Sequence, residues 1–311
     1  MTTALVTHLD CLDHDMGRGH PECPARLRAV LAGLEHESFA HLLREQAPLA
    51  TIEQLIRMHP EPYVRAIVSI RPEPGDRLQL DGDTSMSAGS ADAALRAAGA
   101  AVRAVDLVMG GTARAAFAAT RPPGHHAEPA RAMGFCLFNN AAIAAAHARE
   151  AWGAKRVAVL DFDVHHGNGT QAMFAANPDL FYASSHQDPC YPGTGHAWER
   201  GVADNIVNVG LAPGSGSAEF RAAWTDTIIP AVERFAPDLL IISAGFDAHK
   251  ADPLAQLRLE TVDFAWITDR LMELAERCTG GRVVSVLEGG YDLQALSASA
   301  AVHVRSLMRA G

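Results

Sequence analysis

Between Asp161 and Thr170 the chain reads DFDVHHGNGT, directly behind the apolar stretch RVAVL. Asp161, Asp163, His165, His166 and Asn168 crowd two carboxylates, two adjacent imidazoles and an amide into one short run. Such a cluster suits a metal site, a proton relay or a polar turn. Asp161, Asp163 and His165 are spaced by two, so on an extended segment they share one side. Carboxylate oxygen and imidazole nitrogen are both ligands for a divalent cation. The same residues at a strand end can also do no more than cap a turn.

Three further runs carry candidate chemistry. RPPGHHAEPARAMGFC (121–136) sets His125 and His126 side by side behind a rigid Pro-Pro and a glycine. Paired imidazoles at a turn suit proton transfer, although a single histidine is usually structural. SAGFDAHKADPL (243–254) places Asp247 after an apolar stretch, as a ligand or a helix N-cap. LEGGYDL (287–293) puts Tyr291 behind two glycines, which let backbone approach closely and swing a phenol into a site.

The elements that must position these residues are short β-rich runs: 4–8, 115–120, 156–163, 180–185, 205–210, 238–245 and 282–290. Several are apolar at consecutive positions, the pattern of strands buried on both faces of a parallel sheet. Helical patterns alternate with them at 24–36, 88–109, 139–151, 217–235, 260–277 and 294–309, with Pro24 suited to a first helical turn. RPEPGDRLQLDGDTS (71–85) is the longest turn-rich segment and is expected to be a surface loop. No linker or repeat divides the chain, so one domain is expected. In open parallel sheets ligands bind beyond the carboxyl ends of the strands. His8, Arg121 to His126, Asp161 to Asn168, Ser184 to His186, Asp247 and Glu288 to Tyr291 all fall at such ends, which points to one site.

The 311 residues carry a formal net charge of -10, which argues against a nucleic-acid surface and weakly favours a cationic substrate. The five cysteines, Cys11, Cys23, Cys136, Cys190 and Cys278, form no CxxC pair, so neither a disulfide framework nor a thiolate zinc site is expected. The N-terminus lacks the pattern of a signal peptide, and no apolar run is long enough to span a membrane. A cytoplasmic protein is the expectation.

Taken together, the four runs resemble the zinc-dependent histone deacetylase family. The resemblance extends from HPECPARL (20–27) to the last helix. RPPGHHA, MGFCLFNN, DFDVHHGNGTQ, YPGTG, SAGFDAH and EGGYDL occur in the family's order, and HHGNG is similar to the class II branch and its bacterial relatives. The resemblance implies a single deacetylase domain over residues 1–311. Its fold would be arginase/deacetylase-like: three α/β/α layers around a mostly parallel sheet of about eight strands.

By the same resemblance, Asp163, His165 and Asp247 would be the metal ligands. His125 and His126 would be the proton-transfer pair, with Asp161 orienting the first and Asn168 behind the second. Class I members have Asp at the latter position, so the charge at His126 should differ here. Tyr291 would stabilise the oxyanion. An acyl-lysine tunnel is implied at Gly134, Phe135, Tyr191 and Leu254, with Asp83 near its mouth. A structural potassium ion is implied at Asp161, Asp163, His165, Ser184 and Ser185. The catalytic ion would be Zn2+, with Fe2+ compatible with the same carboxylate-rich ligands.

The activity implied is metal-dependent removal of an acetyl or acyl group from N-acetyl-lysine in a protein or peptide, or from a small acetylated amine. Acetylpolyamine hydrolysis is the alternative; Leu254 stands where some polyamine-preferring relatives carry an acidic gate. A two-metal ureohydrolase would need a second carboxylate after His165, where Gly167 stands, so one catalytic metal is expected. An inactive acyl-lysine reader is disfavoured by the intact ligands, histidine pair and Tyr291. A homo-oligomer is compatible with all of these readings, and His166 is left without a role.

Overall fold

The computed structural model describes residues 2–309. Ten strands occur in chain order: β1 (Thr3–Thr7), β2 (Leu43–Gln46), β3 (Leu78–Gln79), β4 (Ser85–Met86), β5 (Ala115–Ala118), β6 (Val157–Asp161), β7 (Leu180–Gln187), β8 (Ile206–Leu211), β9 (Leu239–Ala244) and β10 (Val283–Leu287). Eight form one sheet in the order β2-β1-β5-β10-β9-β6-β7-β8, every neighbouring pair parallel. Strands β5, β6, β7, β9 and β10 are buried at every position, which is why most of their residues are apolar at consecutive positions, with the polar ones gathered mainly toward the carboxyl ends.

Helices cover both faces, as right-handed crossovers between parallel strands require. They are α1 (Pro24–Gly33), α2 (Ile52–Leu55), α3 (Glu61–Ser69), α4 (Ser90–Met109), α5 (Asn140–Trp152), α6 (Asn168–Phe174), α7 (Ser217–Ala222), α8 (Ile229–Phe235), α9 (Thr261–Cys278) and α10 (Leu293–Arg309). Leu27 of α1, Val232 of α8, Leu271 of α9 and Leu296 of α10 bury into the core on one face. Ala101 and Val105 of α4 and Ala141 and Ala145 of α5 fill the other. Small alanines let these two helices lie close to the sheet. The expected three-layer α/β/α fold is the one observed.

Departures from the expected elements are local. Strand β2 (LREQ) is an edge strand with alternating half-buried and exposed residues, so it lacks an apolar run. Segment 217–235 is helical throughout, but a π turn at Ala223–Ile228 separates α7 from α8. Segment 71–85 is mostly exposed, as expected of a loop, yet its end pairs β3 with β4 as a short antiparallel ribbon. No described helix is long and apolar enough to cross a membrane.

The sheet's register gathers the polar strand ends. Asp161, the last residue of β6, lies beside Ser184 of β7 and Ser243 of β9. Leu287, just before Glu288, lies beside Ala244. Beyond β6, Phe162 and Val164 bury into the core, with Phe162 5.9 Å from Phe246 and 6.1 Å from Phe264 between ring centroids. Alternation then turns Asp161, Asp163 and His165 away from that core.

Candidate active site

Asp163, His165 and Asp247 converge, with one ligand atom of each within 4.8 Å of the others. His165 Nδ1 lies 3.2 Å from Asp163 Oδ1 and 3.1 Å from Asp247 Oδ2. The remaining oxygens are held by backbone: Gly289 N–H donates to Asp163 Oδ2 at 2.8 Å, and Val164 N–H to Asp247 Oδ1 at 2.8 Å. Each carboxylate thus has one oxygen on backbone and the other facing the imidazole, where Asp163 Oδ1 also accepts the His165 backbone N–H at 2.9 Å. Two glycines make room. A Cβ on Gly245 would come within 2.1 Å of Asp163 Oδ2, and one on Gly289 within 2.1 Å of Asp247 Oδ2.

All three groups are buried, and two carboxylates so close disfavour joint ionisation. Burial and the Asp163 charge raise the Asp247 pKa, against the pull of His165. Burial also opposes charge on Asp163, but His125 and His165 outweigh it and hold that carboxyl well below the usual range. A dication would relieve this conflict, and two carboxylates with one imidazole leave it positions for water and substrate. The donor set and its glycine cradle fit such an ion. Among the described residues this is the one group of three or more His, Cys, Asp or Glu side chains close enough to share a metal.

His125 and His126 stand beside it, ring centroids 4.0 Å apart. The Nδ1–H of His125 donates to Asp161 Oδ2 at 3.0 Å, leaving Nε2 to face the site 3.8 Å from Asp163 Oδ1. Burial opposes charge on His125, yet the Asp163 and Asp161 carboxylates raise its pKa to about 10. A cation beside Asp163 would offset part of that attraction. The Nδ1–H of His126 donates to Asn168 Oδ1 at 2.8 Å, and Asn168 Nδ2 donates to Glu128 Oε1 at 2.9 Å. Burial, then the charges on His125 and His165, push His126 well below the usual histidine range. A carboxylate behind one imidazole and an amide behind the other separate the two titrations.

Tyr291 follows Gly290, whose φ of +121° suits only glycine. Its N–H donates to Asp252 Oδ2 at 2.7 Å, and Asp252 Oδ1 accepts the N–H of Leu254 at 3.0 Å, so one buried carboxyl ties Tyr291 to Leu254. The Arg26 guanidinium lies 4.8 Å from the Tyr291 ring centroid. Phe135 packs edge-on to Tyr291 at 5.8 Å, and Tyr191 edge-on to His126 at 5.1 Å. Gly134 and Phe135 both have positive φ, and a Cβ on Gly134 would strike the His126 ring. Asp83, at the β3–β4 turn, accepts the Gly134 N–H at 3.0 Å. Ser184 Oγ lies 2.9 Å from His186 Nδ1, and Ser185 Oγ accepts the Trp224 indole N–H at 2.9 Å.

Other groups bond into the site without a role assigned to them from the sequence. The Tyr182 hydroxyl donates to Asp161 Oδ2 at 3.0 Å and accepts the Gly167 N–H at 2.9 Å, yet Tyr182 reads as ordinary strand core. Glu288 Oε2 accepts the N–H groups of Gly124 (2.6 Å) and His125 (3.1 Å), fixing the histidine turn; burial raises its pKa to about 7. Glu22 bridges the guanidiniums of Arg26 and Arg121, all three wholly buried. Arg26 in turn donates to the carbonyls of Glu288 (2.5 Å) and Gly290 (2.6 Å), bracing the Tyr291 turn. The HPECPARL run contained this signal in Glu22 and Arg26.

Comparison with known proteins gives the family and the fold. The family model for the histone deacetylase domain matches residues 20–307. A histone deacetylase-like amidohydrolase of Pseudomonas aeruginosa is 41% identical over 279 residues, covering 88% of this chain and 73% of that protein. A probable deacetylase of Archaeoglobus fulgidus is 37% identical over 300 residues, 94% of this chain and 82% of the relative. The solved HDA15 HD domain superposes with a TM-score of 0.93 at 37% identity, over 99% of this chain and 88% of that one. The chain belongs to the histone deacetylase family and shares its α/β fold.

Proposed function

We propose that residues 1–311 form a single deacetylase domain that removes acetyl or acyl groups from N-acetyl-lysine in peptides and proteins, or from a small acetylated amine. The observation that carries this reading is the Asp163–His165–Asp247 triad set directly beside the His125–His126 pair. The triad would hold one Zn2+, with Fe2+ compatible. When bound, such an ion polarises an amide carbonyl and acidifies a water.

The chain's own residues do the rest. Each imidazole of the pair has its Nδ1–H engaged, so each Nε2 is free to take or return a proton. We commit to the pair as the unit that accepts the water's proton and protonates the departing amine. Burial keeps the Tyr291 phenol protonated, which makes it a donor for the tetrahedral oxyanion. Gly134, Phe135, Tyr191 and Leu254 would line the acyl-lysine tunnel, with Asp83 at its mouth. A potassium ion is proposed at Asp161, Asp163, His165, Ser184 and Ser185, beside the ligand-bearing run; the Ser185 hydroxyl is already engaged by Trp224. The five cysteines are free thiols, which suits a reducing cytoplasm.

Kinetics on an acetyl-lysine peptide and on acetylputrescine, run side by side with metal-defined protein, test the substrate. The peptide should give the higher kcat/KM. A much higher value for the polyamine would replace the lysine reading with acetylpolyamine hydrolysis. Urea release from a guanidino substrate would replace both with a ureohydrolase.

A further inference from the structure

His166 stands next to His165 in the chain but bonds to a different set of residues. It is 1% exposed. Its Nε2 lies 2.9 Å from Gln171 Oε1, an oxygen that also accepts from Asn208 Nδ2 at 2.7 Å, while Gln171 Nε2 donates to Glu199. Those neighbours fix which end of the Gln171 amide faces His166, so His166 Nε2–H must donate. Its Nδ1 is hydrogen-bonded to the Thr194 hydroxyl at 2.8 Å, so both ring nitrogens are engaged.

His186 does the same one residue along. Its ring centroid is 4.9 Å from that of His166. His186 Nε2–H donates to the Gly195 carbonyl at 3.0 Å, and Nδ1 is hydrogen-bonded to Ser184 Oγ at 2.9 Å. Gly195 has a φ of +88°, and a Cβ there would fall 2.5 Å from His166 Cγ and 2.6 Å from His186 Nε2. Thr194 and Gly195 are therefore pinned by two buried imidazoles. Three residues earlier in the same segment, the Tyr191 ring packs against His126 at 5.1 Å and His165 at 6.3 Å.

We propose that His166 and His186 form an imidazole clasp that positions residues 191–195 and so sets Tyr191 against the site. This rests on the reading of Tyr191 as tunnel wall. His166 is then a positioning residue: it joins the turn that bears the metal ligands to the segment that contacts substrate.

Thr194→Val removes the bonded hydroxyl at nearly constant size, while Thr194→Ser keeps it. In the full chain, hydrogen exchange of the 191–199 amides should quicken roughly tenfold in Thr194→Val, the scale of one lost hydrogen bond, and by no more than about twofold in Thr194→Ser. KM for the acetyl-lysine peptide should rise about tenfold in the valine variant while kcat changes by less than about threefold, the signature of lost substrate positioning. Zn2+ affinity by chelator competition should be unchanged in both, which separates the clasp from damage to the ligands. His166→Asn, which keeps a hydrogen-bonding group near the Nδ1 position, should retain more loop protection than His166→Leu. Equal exchange and equal KM for Thr194→Val and Thr194→Ser would overturn the proposal. A wild-type protein that hydrolyses no acylated amine would defeat the functional reading; the valine–serine exchange difference would still uphold the clasp.

Discussion

At the residue scale the site is a set of side chains held in place by their neighbours with at least one atom turned toward the site. Asp247 spends one oxygen on a backbone N–H, Asp163 accepts a backbone N–H at each oxygen, and His125 and His126 spend Nδ1 on Asp161 and Asn168. That arrangement orients the free atoms before any ligand arrives, which is where electrostatic catalysis gains most. Tyr291→Phe isolates one such group. It should lower kcat by roughly 10²–10³ with KM little changed, because an oxyanion donor acts in the transition state. A phenylalanine variant as active as wild type in steady-state assays would remove Tyr291 from the chemistry. Spacing alone left the Asp161–His165 run open between a metal site and a turn, and it was the family's motif order that singled out Asp163, His165 and Asp247 as candidate ligands. Glu288 was legible as a strand-end residue and Tyr182 was not, and the bonds of both depend on which strands become neighbours.

At the element scale, the strand ends are held together from behind by buried charge. Glu22, just before α1, and Arg26 within it brace the turn after β10, and Arg121 joins them from the end of β5. Burial would raise the Glu22 pKa, but Arg121, His14 and Arg26 outweigh it and lower it to about 2 from the 4.5 of an ordinary glutamate. A lowered carboxyl pKa contributes stability that is complete above pH 4.5 and is lost as pH falls toward 2. Glu22→Gln leaves two buried guanidiniums short of a counter-charge and should cost about 3–5 kcal/mol at neutral pH. Its unfolding free energy should also fall less steeply than wild type's between pH 4.5 and 3, followed by denaturant titration. Matching slopes would show that Glu22 does not carry this linkage. The central strands were plain in the sequence because burial on both faces favours apolar residues at consecutive positions. Edge strand β2 and the short helix α6 were not, since neither has a continuous apolar stripe.

At the scale of the whole molecule, the parallel sheet is what turns scattered motifs into one site. His125 and Asp247 are far apart in sequence, yet they follow strands whose carboxyl ends share one rim. The family's motifs were visible in order along the chain, but the register that brings Asp161 beside Ser243 and Ser184 is a property of the assembled sheet. One divalent ion at the Asp163–His165–Asp247 triad should be required for hydrolysis. The decisive measurement strips the full chain with a chelator, titrates Zn2+ back, and follows acetate release from an acetyl-lysine peptide alongside metal content. Activity should vanish in the stripped protein and return in proportion to bound Zn2+, saturating at one ion per chain, and Asp247→Ala should abolish both binding and recovery. Full activity in the stripped protein, or recovery that requires two ions per chain, would contradict that requirement.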